Sequence, residues 1–259
     1  MQDGSFNLLN KSLPYAKSHH LVLSYDRQLS AFMRLKIESY AQFIYHAGVD
    51  GGKQNTFSML NQGANFGFIT PDTLIATGKG RNLGLELTFE HFLNKGFYFL
   101  YTASLFDSKY QGSDEVWRNS AFNGNYVTNL LIGKEWNLGK KQGKGSRFTL
   151  SADLKTTLAG GQRYTPSDVV ANPSSPGNFK QEYDYNNAFT KQFSDYSRTD
   201  IKLAFRINGK KITQEWAIDA QNIFDQQNIY SKKFNKATGE KSFTYQTGRL
   251  IIPQYRIIF

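Results

Sequence analysis

The amino-acid sequence predicts an all-β protein, an antiparallel transmembrane β-barrel segment of about nine strands. Three observations predict it. Greasy and charged side chains alternate along segments long enough to cross a bilayer, the connections between them are alternately short and long, and the last residue is an aromatic, Phe259. Successive side chains of a strand point to opposite faces, so strict alternation makes one face oily and the other wet. A membrane barrel needs that arrangement, with lipid outside and water within.

The elements follow in order. A first strand, about His20 to Gln28, sets Leu21, Leu23 and Tyr25 on one parity. After a turn at 27–31 comes the clearest strand, Phe32 to Tyr45. Met33, Leu35, Ile37, Ala41, Phe43 and Tyr45 share one parity, and Arg34, Lys36, Glu38 and Gln42 share the other. A long Gly-, Asn- and Thr-rich connection, 46–80, leads to a strand at Arg81–Phe92, with Leu83, Leu85, Leu87 and Phe89 opposing Asn82, Glu86 and Glu90. A tight turn at 93–96 joins it to Phe97–Phe106. After a loop to about Gly124, strands at Tyr126–Trp136 and 147–155 flank a short turn, 139–146. The longest loop, 159–196, carries Pro166, Pro173 and Pro176. A strand with Thr199, Ile201, Leu203, Phe205 and Ile207 on one parity reaches Asn208-Gly209, a hairpin signal. The strand at Ile212–Phe224, a loop at 225–247 and a closing strand with Ile251, Tyr255, Ile257 and Phe259 complete the chain.

The sorting of loop lengths is the discriminating signal. Membrane barrels keep short turns on the periplasmic side and long loops outside. A soluble β-sandwich also alternates apolar and polar residues, but has no reason to sort its loops.

Composition narrows the classes. Hydrophobic residues reach only 39% and aromatics 15%, and no apolar run attains the ~18–20 residues of a membrane helix. Cysteine is absent, which removes disulfide frameworks and thiolate chemistry. The net charge of +10 includes turn lysines such as Lys140, Lys141 and Lys144. Basic loops suit anionic headgroups or an anionic ligand. No nucleic-acid module accompanies the charge, so no nucleic-acid partner is expected.

Candidate chemical motifs fail on geometry. His19-His20 are adjacent on a strand and face opposite ways, with no third ligand at a useful spacing, so no metal site is expected. The run from Gly139 to Ser146 lacks phosphate-loop spacing and sits between strands. The charges on the wet parity (Glu86 and Glu90, Asp153 with Lys155, Asp200 with Lys202) read as a salt-bridge lattice lining a lumen. Nothing marks a desolvated acid or base, so neither catalysis nor a cofactor is expected. The long loops are dense in aromatics, including Phe66, Phe68, Trp117, Tyr164, Tyr183 and Tyr185. Such rings stack on sugars, chelate rings or peptides, or else pack the loops onto one another. The first six residues, Met1 to Phe6, contain no basic stretch leading into an apolar core, so they do not read as a signal peptide. The expectation is a C-terminal part of a longer chain, with 1–17 the tail of an extracellular loop and 18–259 barrel.

The stretch from Ala16 to Tyr25, then Leu35-Lys36-Ile37-Glu38-Ser39-Tyr40-Ala41-Gln42, resembles a late barrel segment of TonB-dependent outer-membrane receptors. The run from Gly80 to Leu87, the run from Asp219 to Phe224 and the end from Gly248 to Phe259 add to the likeness, which covers nearly the whole chain. The resemblance implies a 22-stranded barrel in the outer membrane of a Gram-negative bacterium, of which these nine strands are the last. It also implies an N-terminal plug and a TonB box, neither found in these residues. TonB would therefore act through a preceding part. Tyr255, Ile257 and Phe259 occupy the positions read by the barrel-assembly machinery. Further implied partners are outer-membrane lipid, a small nutrient ligand (metal chelate, glycan or peptide) and a surface lipoprotein. Two other readings stand beside active uptake: a soluble β-sandwich for carbohydrate binding or adhesion, and a passive porin-like barrel.

Overall fold

The computed structural model describes residues 10–52, 55–62, 71–139, 148–209 and 211–259. Among them are sixteen strands, every pair of which is antiparallel. They are β1 (Lys17–Ser30), β2 (Met33–Asp50), β3 (Leu74–Asn94), β4 (Phe97–Gln111), β5 (Trp117–Asn119), β6 (Tyr126–Leu138), β7 (Phe148–Ala159) and β8 (Arg163–Tyr164). After these come β9 (Ser167–Ala171), β10 (Phe179–Tyr183), β11 (Lys191–Gln192), β12 (Tyr196–Asn208), β13 (Thr213–Gln221), β14 (Ile229–Phe234), β15 (Lys241–Tyr245) and β16 (Leu250–Ile258). Two single 3-10 turns lie at Met59–Asn61 and Tyr185–Asn187.

Nine of these form one meander in the order β1-β2-β3-β4-β6-β7-β12-β13-β16, with β5 folded back on β4. They are the nine expected strands. Their connections alternate as expected: short after β1, β3, β6 and β12, long after β2, β4, β7 and β13. The sheet is open among the described residues. β1 and β16 are its two edges, and each pairs on one side only.

Register keeps each parity continuous across the sheet. On the apolar face Leu23, Ser39, Leu85, Leu105 and Tyr126 stand in one cross-strand row. Further down, Ile132, Leu154, Ile201, Ala220 and Ile251 form another. A row close to the short turns is rich in aromatics, running Trp136, Leu150, Phe205, Trp216, Tyr255. Phe148 stacks on Phe205 at 5.9 Å and Trp216 lies against Tyr255 at 5.2 Å. On β3 and β4 the same level holds Phe89, His91, Phe97 and Phe99, packed ring to ring. The other margin of the face carries Phe43 and Tyr45, whose ring meets His19 edge-on. From Met33 to Tyr45 the oily parity of β2 rises ~30 Å at a ~45° tilt, close to the depth of a bilayer's hydrocarbon.

Among the described residues no second layer covers this face. The large apolar side chains on it are exposed, Leu85, Leu105, Leu203 and Ile218 among them. The strands of the meander contact chiefly their own sheet neighbours. Buried hydrophobic residues among those described are Val49, Tyr110 and five alanines, too little for an ordinary soluble core.

The wet face is an ionic and hydrogen-bonded lattice. Arg34 bridges to Asp26 at 2.5 Å, Lys36 to Glu38 at 2.5 Å, Arg198 to Asp200 at 2.7 Å and Arg206 to Glu215 at 2.8 Å. Asp200 thus pairs with Arg198 and not with Lys202, although Lys155 stands opposite it in register. Asp153 accepts from the Tyr98 hydroxyl at 2.7 Å. Two glycines on this face are steric necessities. A Cβ on Gly84 would lie 2.4 Å from the Tyr40 ring, and one on Gly133 would lie 2.2 Å from the Tyr98 ring. Each tyrosine lies across the glycine opposite it in register, covering bare backbone with an aromatic plate.

Several boundaries differ from the sequence reading. β2 and β3 run beyond the expected ends, to Asp50 and back to Leu74. The register shifts between Ile44 and Ala47, where His46 adopts φ 58°, so simple alternation fails there. The strand expected to reach Phe224 stops at Gln221. Asn222 turns left-handed (φ 48°), and its side chain accepts from Gln226 N at 3.0 Å and donates to Gln226 O at 3.1 Å, closing an Asn turn.

Candidate functional site

The long-loop end of the sheet carries a compact cap. Past the bulge in β2, Ala47 and Val49 are buried, with Ser58 bridging to Val49. The segment after β4 folds back through β5, and Asn61 Oδ1 accepts from Ala121 N at 2.9 Å. Buried Asn123 donates to Asp107 and Asn119, both at 3.0 Å, and accepts from Ser108 N. From the next long loop, Arg163 donates to Asn123 O at 2.7 Å and Asn125 Oδ1 at 2.8 Å. These loops meet backbone to backbone: a Cβ on Gly160 would sit 1.7 Å from Gly124 O, leaving room for hydrogen only. Tyr110, fully buried, meets Phe189 edge-on at 6.0 Å.

Beside this cap lies a cavity of about 780 Å³ between the loop after β7 and the β14–β15 hairpin. Its walls are built by small pairings: β8 with β11, β9 with β10, β14 with β15. Phe179 N donates to Lys236 O at 2.7 Å, and the Lys241 ammonium donates to Ser167 O, so the hairpin is tied to the loop. Three of the expected binding aromatics, Tyr164, Tyr183 and Tyr185, line this one cavity. Tyr164 stacks on Phe193 at 4.5 Å, and the Lys232 ammonium lies 5.1 Å from its ring centre. Tyr183 and Tyr185 lie 6.0 Å apart and are exposed. Asp184 between them accepts from Asn187 N and Asn187 Nδ2, bonds that hold its carboxyl below the ordinary range and fix the turn carrying Tyr185. Burial pushes the Tyr183 hydroxyl up, with the neighbouring Tyr185 adding to the shift. The Lys232 pKa is pushed down, first by burial and then by the charge of Lys241.

The other expected residues fall elsewhere. Trp117, on β5, lies apart from the cavity, with the Arg81 guanidinium 5.6 Å from its ring centre. Phe66 and Phe68 lie outside the described residues, as does most of the lysine turn at 139–146. Tyr255 and Ile257 stand on the apolar face of β16, and Phe259 follows at 93% exposure. Among the cavity residues that the sequence did not single out are Arg163, Phe193 and Lys232. Of these only Lys232 sits in a basic-aromatic run, 230–236, and nothing local in that run points to a partner.

A smaller cavity, about 340 Å³, opens on the wet face between β2, β3 and β4. Two side-chain amides on its wall, Gln42 and Asn82, are hydrogen-bonded to each other. Gln42 Nε2 lies 2.5 Å from His20 Nε2, and Asn82 donates to Gln42 Oε1 at 2.6 Å.

No protein-family model and no curated protein matches the chain. Among solved structures, it is similar to P. aeruginosa FpvA bound to a heterologous pyoverdine with iron, at 12% identity and a TM-score of 0.48. The match covers 94% of this chain and 27% of that one, so the chain spans about a quarter of that protein's length. At that identity and score the likeness assigns neither family nor cargo.

Proposed function

We propose that this chain forms part of the wall of an outer-membrane β-barrel receptor for active, TonB-dependent uptake of a small nutrient. The single observation that carries the reading is the apolar face. It is continuous over nine strands, ~30 Å deep, edged by aromatics and, among the described residues, covered by no second layer, which is the surface hydrocarbon requires. A soluble sandwich would bury that face against its second sheet. Open strand edges do not persist in lipid, so further strands complete the wall beside β1 and β16. Nine strands place both edges in the same direction, and an antiparallel closure therefore needs an odd number more. The short turns then face the periplasm, and the loop cavity faces the exterior, where ligand arrives. Tyr255, Ile257 and Phe259 present an aromatic-ended apolar stripe to the assembly machinery. Rings at the loop cavity favour a capturing receptor over a passive pore.

The test is expression of the full protein in a Gram-negative host. The expected result is recovery in outer-membrane detergent fractions, with a band whose gel mobility shifts on heating. Recovery as a soluble monomer without detergent would refute the reading.

A further inference from the structure

We propose that the loop cavity takes an acidic saccharide, with the Lys232 ammonium meeting its carboxylate and the Tyr183–Tyr185 pair lying against a sugar face. The inference names a cargo class for the receptor described above and rests on that reading for its place in uptake.

Charge comes first. The cavity is lined by two cations, Arg163 and Lys232, and by no carboxylate. Arg163 is committed to Asn123 and Asn125. Lys232 has no carboxylate within ion-pair distance among the described residues; the Tyr164 ring holds its ammonium from one side. Burial and Lys241 both act against its charge, and the attraction of an incoming anion offsets both. Phe193 supports the back of Tyr164, which fixes where the ammonium sits.

Shape and polarity come next. At about 780 Å³ the cavity has the size of ordinary small-molecule sites. The exposed pair Tyr183 and Tyr185 offers flat carbon surface of the kind that sugar C–H faces cover. Ser194, Ser231 and Gln246 line the same space, and their side chains make no hydrogen bond among the described residues. Free hydroxyl and amide groups beside an aromatic plate suit a hydroxyl-rich ring. A flat, fully aromatic acid would leave them unpaired, at a cost. A cationic peptide would meet only like charge.

An acidic sugar dissolved in the medium and one displayed on lipopolysaccharide share this chemistry; the proposal is for the dissolved one. The full protein, purified in detergent free of lipopolysaccharide, is titrated calorimetrically with trigalacturonate and with its methyl ester, which keeps the rings and loses the charge. The acid should bind about tenfold more tightly than the ester. Lys232→Gln should abolish that preference while Lys232→Arg keeps it, and Tyr185→Ala should weaken both ligands alike. Equal binding of acid and ester, or an unchanged preference in Lys232→Gln, overturns the proposal. So does binding to lipopolysaccharide alone. Heat-shifted gel mobility of every variant confirms its fold. A heat-shifted protein that ignores trigalacturonate refutes the saccharide alone. A soluble protein that binds it refutes the receptor and leaves the site.

Discussion

Replacing Leu85 by arginine separates lipid from water at one position of the apolar face. Leu85 lies between Ser39 and Leu105 in register and is 49% exposed. On the same parity, Arg81 and Asp107 form an ion pair at 3.5 Å that marks the outer margin of the band. Four residues separate Leu85 from Arg81, which is ~10 Å of depth at a tilt of ~45°. The apolar band of such barrels is ~25 Å tall, so Leu85 lies within a few ångströms of its middle. A cation there costs ~2–4 kcal/mol. In water the same half-exposed position would change stability by no more than ~0.5 kcal/mol. Equilibrium urea unfolding of the full protein in lipid vesicles measures the difference. Glu86→Gln, one residue away on the wet face, is the control and should stay within ~1 kcal/mol of the parent. A Leu85→Arg variant as stable as Glu86→Gln would refute the assigned facing.

Four further outcomes follow from the geometry. Gly84→Ala should destabilise by ~1–3 kcal/mol, because its Cβ would strike the Tyr40 ring; adding Tyr40→Ala should recover part of the loss, read as a coupling energy in the same unfolding assay. Arg206→Met should cost ~1–3 kcal/mol by removing the hydrogen-bonded partner of Glu215, whose side chain is only 7% exposed and keeps only the more distant charges of Lys202 and Arg256, and the further change Glu215→Gln should restore most of it. The Asp184 carboxyl is held low by Asn187, so its contribution to the Tyr185 turn is complete above the ordinary value of 3.8 and is lost as the pH falls below it; the protection of the Asn187 amide against hydrogen exchange, taken relative to its intrinsic rate at each pH, should fall over that acid range and show no such dependence in Asp184→Asn. Deleting Phe259, which is exposed and packs on little, should lower the amount of protein assembled in cells while leaving unfolding in vesicles unchanged; loss of stability in vesicles would show a structural role instead.

Period-two patterning made all nine strands of the meander legible, because a sheet with one apolar and one polar face enforces alternation wherever the ladder is regular. It failed where the ladder is not regular. His46 and Asn222 turn left-handed, and each moves a strand end by several residues without altering the apolar count that the pattern reads. The candidate site was legible in kind and not in membership. Tyr164, Tyr183 and Tyr185 stood out as rings in a loop, yet nothing local distinguished them from Trp117, which the fold places against Arg81 instead. The decisive residue was Lys232, far along the chain, one of many lysines in a basic protein. What sets it apart is a tertiary fact: the β14–β15 hairpin is tied to the loop after β7 by Phe179, Lys236 and Lys241. Those ties bring an ammonium over the ring of Tyr164 and leave it without a carboxylate. A surface lysine keeps its hydration at no cost, whereas one held over an aromatic plate in a cavity has given up part of it. The charge of an entering anion would offset that loss, which is why the proposed ligand charge is placed at this residue.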